Sequence, residues 1–294
     1  LMRHLVAIVN RTAGKGKCAR LWPQIEGYLQ SLGLDLEVHF TKGAGDATSL
    51  AKRAAGNGAS AVLSVGGDGT LNEVVNGLVG YPDVTLGIIP AGSGNDFIRS
   101  LGVKPADWQI ACQTIAKGQT KLIDLGQING RHFINVAGVG FDATVVNCAN
   151  TWGKAHFPSS LAYLGAVLKT LWEFKPAKIR IQLDDQEVED IGWLVVVASG
   201  QYFGGGMWIA PEADLHDGYF DVCVLGDLSK PAFLRAFPSI FSGKHLYHPA
   251  IKLYRARRVT VQADRPMLVQ ADGEVIAKTP ISFAVRPSGL RIYC

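Results

Sequence analysis

Short apolar runs alternate with amphipathic stretches over the first 125 residues of the chain. Runs of about five apolar residues predict buried strands, whereas apolar positions three and four residues apart predict helices. This alternation predicts a parallel sheet covered by helices. The predicted strands are Leu5–Val9, Leu36–Phe40, 61–65 and 85–89, and the predicted helices are 18–32, 46–55, one that begins near Thr70, and 106–116.

The pattern changes at about residue 126, where short apolar runs follow one another with one long helical stretch among them. Such a succession is typical of an antiparallel β-sandwich. We predict an α/β nucleotide-binding domain over residues 1–125 and a mainly antiparallel β-sandwich domain over 126–287, with about 288–294 returning to the first domain. The predicted strands are 133–136, 179–183, 193–198, Phe220–Leu225, 259–261, 267–271 and 281–285, and the helix is 161–174.

The run Gly66-Gly67-Asp68-Gly69-Thr70 stands between the third predicted strand and the next helix. Its glycines let the backbone turn tightly and approach a ligand, and the N-terminus of the helix favours a phosphate. An acid in a turn that suits an anion, Asp68, indicates the handling of a metal or a proton. Gly and Asp are also ordinary turn residues, so this run alone leaves a plain strand-to-helix turn open.

Two further glycine-containing turns follow predicted strands, at 10–16 after the first strand and at 90–96 after the fourth. The first lacks the spacing of a Walker A loop, and the second, taken singly, fits a capped helix entry equally well. Ligands of parallel sheets bind beyond the carboxyl ends of the strands, where all three turns would meet. Together the turns therefore predict a phosphate-binding cleft.

Two acidic turns in the second half are candidate metal or catalytic sites. Asp214 and Asp217 stand three residues apart before a glycine, a pattern that can wrap Mg²⁺ or Ca²⁺, although the spacing alone favours a hairpin turn. Asp272 and Glu274 bracket a glycine and would serve as base and metal contact if they face the cleft. The run 138–143 matches G-x-G-x-x-A, but the acid expected about 20 residues later in a dinucleotide site is absent.

Composition narrows the class of protein. The chain has 294 residues, 48% of them hydrophobic, and a formal net charge of +4 without a basic arm typical of nucleic-acid binding. Five scattered cysteines without a C-x-x-C pair predict reduced thiols in a cytosolic protein. The sequence shows no signal peptide and no apolar run of the roughly 18 residues that a membrane span needs.

In their order and spacing, the turns at 10–16, 66–73 and 90–96, the acidic loop and the 272–274 turn resemble the diacylglycerol kinase catalytic family, which includes sphingosine and ceramide kinases and bacterial soluble lipid kinases. The resemblance runs nearly end to end and implies a two-domain kinase with ATP in the cleft. The implied nucleotide-binding residues are Asn10, Arg11, Thr12, Ala13, Gly14, Thr41, Gly66, Gly67, Asp68, Gly69, Thr70, Leu71, Asn72, Glu73, Gly92, Ser93, Gly94, Asn95 and Asp96.

The same resemblance implies roles for the acidic residues. Asp68 would act beside the phosphates and their metal. Asp272 and Glu274 would also be catalytic, with Glu274 the better candidate for the general base. The implied ligands of a structural Mg²⁺ are Asp214, Asp217 and the carbonyl of Tyr219.

The implied reaction is ATP-dependent phosphorylation of a lipid hydroxyl, with diacylglycerol converted to phosphatidic acid as the first expectation. The enzyme would be cytoplasmic and would meet its lipid at the membrane surface, without a nucleic-acid partner; a homodimer stays open. An NAD kinase, which shares the Gly-Gly-Asp-Gly turn, and a nucleotide-binding regulator without turnover are the alternatives. Candidate lipid-facing aromatic residues are Trp152, Phe157, Trp172, Phe174, Tyr202, Phe203 and Trp208.

Overall fold

The first half of the chain folds as a parallel sheet with helices packed on both of its faces. The computed structural model describes residues 4–153 and 159–294. The strands are β1 (Leu5–Val9), β2 (Leu36–Phe40), β3 (Ala61–Gly66) and β4 (Thr85–Pro90). The helices are α1 (Lys17–Ser31), α2 (Asp46–Gly56), α3 (Asp68–Leu78), α4 (Asp96–Ser100) and α5 (Trp108–Lys117).

These four strands are parallel and lie in the order β2-β1-β3-β4. Successive residues of β1 face opposite sides of the sheet, as the two-residue period of a strand requires. Val6 and Ile8 pack against α2 and α3, whereas Ala7 and Val9 pack against α1 and α5. Because both faces are covered, every residue of β1 is buried, which explains its continuous apolar run.

The second half is mainly β-structure with helices attached at one side. The helices are α6 (Phe141–Cys148), a π-helical turn (Ala149–Gly153), α7 (Ser159–Glu173), α8 (Lys230–Ala236) and two 3₁₀ turns (Phe237–Ser242 and Lys244–Tyr247). The strands are β5 (Thr120–Ile128), β6 (Arg131–Phe133), β7 (Val136–Gly140), β8 (Ala177–Leu183), β9 (Gln186–Gly192), β10 (Leu194–Ala198), β11 (Tyr202–Phe203), β12 (Met207–Trp208), β13 (Phe220–Leu225), β14 (Ile251–Ala256), β15 (Arg258–Ala263), β16 (Leu268–Ala271), β17 (Glu274–Lys278) and β18 (Ile281–Tyr293).

Two sheets form the sandwich. One is antiparallel in the order β14-β13-β10-β7-β16-β17, and its buried face packs against β8, β15 and β18 of the other. Phe133 lies in the core between them, stacked on Phe220 with ring centroids 5.6 Å apart and edge-on to Phe283 at 6.3 Å. The predicted fold class, an α/β domain with a mainly antiparallel β-sandwich, is confirmed.

The long strand β18 connects the two halves. Its first residues pair antiparallel with β15, while Arg291 and Ile292 pair in parallel with Thr85 and Leu86 of β4. β5 pairs with β18 along most of its length and passes through residue 125, where we predicted the domain boundary. One hydrogen-bonded sheet therefore runs through both halves, and the cleft between them is built on it.

The predicted strand 133–136 is wrong in one respect, because the chain breaks there between β6 and β7. The N–H groups of Ile134, Asn135 and Val136 all donate to the carboxylate of Asp272. Because these N–H groups bind a side chain, they are not available to a neighbouring strand, and the strand is interrupted between β6 and β7. The apolar pattern does not show this, because the acceptor is 136 to 138 residues away in sequence.

Candidate active site

The turns after β1, β2 and β3 are linked at the carboxyl edge of the parallel sheet. The side-chain amide of Asn10 donates to Thr70 Oγ1 at 2.9 Å, and its carbonyl accepts from the Thr12 hydroxyl at 2.8 Å. The main-chain N–H of Thr41 donates to the Val9 carbonyl at 3.0 Å. Each turn therefore holds its neighbour, and the first residues of α3 stand at the centre of the group.

Glycines allow the turns after β3 and β4 to touch through their backbones. A Cβ on Gly92 would lie 2.3 Å from the Cα of Gly67, and a Cβ on Gly14 would lie 3.0 Å from the Ala91 carbonyl. A side chain at either position would push the turns apart. This close approach leaves main-chain surface and the N-terminus of α3 facing one edge of the cleft, which suits phosphate groups.

Asp68 and Asp96 face each other across this edge. Asp68 Oδ1 accepts the main-chain N–H groups of Asp96 at 2.8 Å and Phe97 at 3.3 Å. Burial raises the pKa of Asp68, and these N–H bonds offset part of the rise. Burial also raises the pKa of Asp96, and the neighbouring charge of Asp68 adds to that rise. Repulsion between two neighbouring carboxylates that are largely removed from water is typical of a site that holds a cation.

Asp96 also ties the α/β side of the cleft to the hairpin of β11 and β12. Its Oδ2 accepts the main-chain N–H of Gly205 at 2.8 Å, and its Oδ1 is buried without a hydrogen-bond partner, 3.7 Å from Arg99 Nε. An orphaned buried carboxylate oxygen beside a second carboxylate fits a divalent cation that is shared with phosphates. Asp68 and Asp96 are therefore the residues that would hold Mg²⁺ with a bound nucleotide.

A cavity of about 240 Å³ lies between the two halves of the molecule. Four carboxylates line it, and they come from opposite sides of the cleft: Asp68 and Asp96 from the α/β side, Asp142 and Asp272 from the sandwich. Phe203 also lines the cavity. Acidic residues that are 28 to 204 positions apart in sequence therefore meet at one place, next to the glycine turns.

Asp272 is held in the cavity wall by four hydrogen bonds. Its Oδ2 accepts from the Asn72 amide at 2.6 Å and the Ile134 N–H at 2.9 Å, and its Oδ1 accepts from Asn135 and Val136 at 3.1 and 3.0 Å. Burial raises the pKa of Asp272 to about 6, against the lowering effect of these bonds. The residue has a left-handed φ of 46°, a conformation that is uncommon outside glycine.

The carboxylates of two predicted site residues do not line this cavity. Glu274 is half exposed and pairs with Arg131 at 3.1 Å, and it is not among the residues that line the cavity. Glu73 accepts the N–H groups of Gly45 at 2.9 Å and Ala47 at 3.0 Å, at the N-terminus of α2. Glu73 therefore stabilises the start of a helix, and Glu274 forms a surface ion pair.

The remaining predicted nucleotide residues divide by burial. Gly66, Leu71, Asn72 and Asn95 are buried, and Asn95 bonds to both main-chain polar groups of Gly92 at 3.1 Å. Four are exposed to solvent: Arg11, Thr12, Gly69 and Ser93. Ala13 and Gly94 are half-buried. The Arg11 guanidinium lies 4.6 Å from the Phe40 ring.

The predicted structural Mg²⁺ loop is closed by contacts of its own. Asp214 Oδ1 accepts the His216 N–H at 2.9 Å, and Asp217 Oδ1 accepts the Tyr219 N–H at 2.9 Å. The other oxygen of Asp217 contacts the Arg255 guanidinium. Across the described residues, no group of three acidic, histidine or cysteine side chains is arranged to hold a metal. Asp217 thus has an arginine partner, and the Mg²⁺ site that the resemblance implies at this loop stays a prediction.

Comparison with known proteins places this geometry in a family. The diacylglycerol kinase catalytic domain matches residues 4–128, and the YegS C-terminal NAD kinase beta sandwich-like domain matches 135–294. A Bacillus subtilis protein named diacylglycerol kinase is 33% identical over 283 residues, which are 96% of this chain and 93% of that protein. The chain belongs to the diacylglycerol kinase catalytic domain family.

Further relatives of this family cover almost the whole chain. A Mycobacterium tuberculosis protein named diacylglycerol kinase is 33% identical over 99% of this chain and 96% of its own length. A Bacillus anthracis structure described as a diacylglycerol kinase superposes with a TM-score of 0.77 at 27% identity, over 99% of this chain and 96% of the other. The predicted resemblance is confirmed.

Sequence reasoning missed several residues that line the cleft of this family member. Asp142 was visible only inside the discounted G-x-G-x-x-A run, and Asn135 and Gln270 carried no motif. An acid just after a buried Gly-containing strand was the one available signal for Asp142. Gln270 and Asn135 could not be recognised, since their significance lies in contacts with residues far away in sequence.

Proposed function

We propose that this protein transfers the γ-phosphoryl group of ATP to the hydroxyl of diacylglycerol and so forms phosphatidic acid. The observation that carries the proposal is the meeting of Asp68, Asp96 and Asp272 in one cavity beside the glycine turns. Phosphoryl transfer needs positioning, charge neutralisation and a proton acceptor, and these groups supply all three. Membership of a family whose relatives are named diacylglycerol kinase supports the choice of acceptor.

The α/β side binds and orients the nucleotide. The phosphates lie against the main-chain N–H groups of the turns that contain Gly14, Gly67 and Gly92, and against the N-terminus of α3. Mg²⁺ held by Asp68 and Asp96 would neutralise charge on the phosphate oxygens when it is bound. The acidic loop of Asp214 and Asp217 takes no part in the proposed transfer.

Asp272 is the general base of the proposed mechanism. Its raised pKa of about 6 is nearer to neutrality than that of an ordinary aspartate, so it accepts a proton more readily while still ionised at pH 7. Four hydrogen bonds occupy its lone pairs, and the Asn72 amide is the one side-chain donor among them. The substrate hydroxyl takes the place of that amide. Glu274 is not among the residues that line the cavity, and it keeps its surface ion pair with Arg131.

Transfer of ³²P from γ-labelled Mg-ATP to dioctanoylglycerol in mixed micelles tests the proposal. We expect label in the organic phase with the wild-type chain and its loss with Asp68→Ala and Asp272→Asn, each shown by its thermal unfolding curve to be folded at the assay temperature. Asp190→Ala is the matched control, because Asp190 pairs with Lys252 outside the cleft. Label on NAD alone would identify an NAD kinase, and ATP binding without any transfer would identify a regulator; either result refutes the proposal.

A further inference from the structure

An apolar chamber of about 80 Å³ adjoins the catalytic cavity. It is enclosed by α6, α7, α8 and the β11–β12 hairpin, with a wall of large apolar side chains. Asp142, Tyr163 and Phe203 line both spaces, so the chamber and the cavity share one boundary. Representative wall residues are Phe141, Val167, Met207, Leu225, Phe233 and Ile240.

Asp142 stands at that boundary with one carboxylate oxygen unused. It lies in the first turn of α6 and is 7% exposed. Its Oδ2 accepts the Gln270 side-chain amide at 3.0 Å, whereas its Oδ1 is buried without a hydrogen-bond partner. A Cβ on Gly138 would lie 1.6 Å from Oδ2, so glycine at that position makes room for the carboxyl group. A buried oxygen without a partner calls for a ligand group that completes it.

A second buried polar atom of the chamber, a histidine nitrogen, also lacks a hydrogen-bond partner. His245 Nδ1 lacks a hydrogen bond, while its Nε2 contacts the Ile209 carbonyl at 3.1 Å. His245 lines only the chamber, however, and not the catalytic cavity. Asp142 and Tyr163 are the polar side chains that line both spaces, and Asp142 is the one of the two with a buried oxygen that lacks a hydrogen-bond partner.

We propose that Asp142 is a specificity-determining residue that donates a hydrogen bond from Oδ1 to an ester carbonyl of the acceptor lipid, while an acyl chain of that lipid enters the chamber. The inference rests on the proposed function, since it takes a diacylglycerol as the acceptor. It assigns Asp142 to recognition of the lipid, apart from the phosphoryl transfer at Asp272.

The chemistry of the acceptor decides which form of Asp142 it needs. The single hydroxyl of diacylglycerol must face Asp272, so the polar atoms left over are ester oxygens, which only accept hydrogen bonds. Burial raises the pKa of Asp142 to about 6, although the Gln270 bond and the first-turn N–H groups of α6 oppose the rise. The free carboxyl is therefore mostly ionised at pH 7, as that of Asp272 is, and the ester carbonyl selects the protonated form, because only that form can donate a hydrogen bond to it. With Gln270 bound at Oδ2, the proton on Oδ1 meets the carbonyl.

Two acceptors that differ only at the carbonyls test the proposal. Dioctanoylglycerol has ester carbonyls, and the dioctyl diether of glycerol lacks them but keeps the hydroxyl and chain length. We expect wild-type kcat/KM to favour the ester by about tenfold, the effect of one hydrogen bond in a dry site. Asp142→Ala should raise KM for the ester about tenfold, leave KM for the ether and for ATP within twofold, and so abolish the preference.

Asp142→Asn keeps the test independent of folding. Its amide oxygen accepts from Gln270 and its amide N–H donates to the carbonyl, so this variant should retain the ester preference. Asp190→Ala again serves as control. If Asp142→Ala slows both lipids equally, or the wild type shows no preference, the recognition role is refuted while diacylglycerol kinase activity stands. If the wild type phosphorylates neither lipid, the proposed function and this inference both fail.

Discussion

Asp272 shows how one side chain can organise both the backbone and the chemistry of a site. Its four hydrogen bonds fix the break between β6 and β7 and tie α3 to the sandwich through Asn72. The same bonds stabilise the ionised form against burial. The position of this proposed general base and its readiness to accept a proton therefore depend on the same few contacts.

The pH dependence of turnover should report this balance. Only ionised Asp272 accepts a proton, so kcat/KM should rise with pH through about 6 and level off above it. The Asn72 amide lowers the pKa of Asp272, so Asn72→Ala should raise that pKa and move the limb to higher pH. The measurement is a pH–rate profile of both chains. If kcat/KM of the variant rises at the same pH as that of the wild type, the rise does not report the titration of Asp272.

Element boundaries followed from pattern wherever burial was uniform. β1 begins and ends at the predicted residues, because a buried parallel strand is a continuous apolar run, and the bounds of the edge strand β2 follow from the two-residue alternation of Leu36, Val38 and Phe40. The glycine turns were also recognisable, since the local chain dictates them. β5 was not predicted because its exposed and buried residues lack a clean period, and the β6–β7 break depends on the distant Asp272. Local pattern also does not predict that the four carboxylates meet in one cavity. It predicts only that the turns with Asp68 and Asp96 lie at the carboxyl edge of the parallel sheet.

Gly92→Ala should weaken nucleotide binding without unfolding the chain. The new methyl group would lie 2.3 Å from Gly67 Cα, so the turns after β3 and β4 must separate and the phosphate surface is lost. We expect KM for ATP to rise at least tenfold, as measured by steady-state kinetics. Gly27→Ala in α1, where a Cβ meets nothing within 4 Å, is the control and should add about 0.5–1 kcal/mol of stability. Equal KM values in both variants would contradict the turn contact.

Glu73→Ala separates helix capping from nucleotide binding. The Glu73 carboxylate accepts two N–H groups at the start of α2, and their loss should lower the free energy of unfolding by about 1–2 kcal/mol. Denaturant unfolding measures this change, and KM for ATP should stay within about twofold. A large rise in KM at unchanged stability would instead support the nucleotide contact that the resemblance implied for this residue.

At the scale of the whole molecule, the cavity lined by the four carboxylates opens between halves that share β18. The apolar chamber adjoins it within the second half, and an apolar surface lies on the chamber side. Leu164, Leu168 and Trp172 are 52%, 50% and 80% exposed, one turn apart on α7, whose inner residues line the chamber. Within the part of the chain that the structure describes, no helix has both the length and the hydropathy to cross a bilayer. We propose this α7 surface as the contact with the membrane that supplies the lipid.

The aromatic residues predicted to face lipid divide accordingly. Trp172 belongs to the α7 surface, whereas Phe174 stacks on the buried Trp193 and Phe203 lines the cavity. Tyr202 and Trp208 stack on each other, with ring centroids 5.7 Å apart. Trp152 lies beside Lys169, and Phe157 falls outside the described residues. Sequence composition could not separate these cases, because exposure depends on what packs against each ring.

Vesicle binding tests the α7 surface directly. Trp172→Ser should lower partitioning to vesicles of phosphatidylcholine and phosphatidylglycerol about tenfold or more, because burial of one large apolar side chain contributes about 1.5–3 kcal/mol. Lys230, whose ammonium lies 5.6 Å from the Trp172 ring, places positive charge at the same surface, so binding should weaken as salt increases. Ile110→Ser on α5, which removes an apolar side chain that is 46% exposed on another face, is the matched control and should bind as the wild type does. Flotation of all three chains measures the difference. If both variants lose binding equally, the contact is a general effect of surface hydrophobicity, and if neither does, α7 is not the membrane surface.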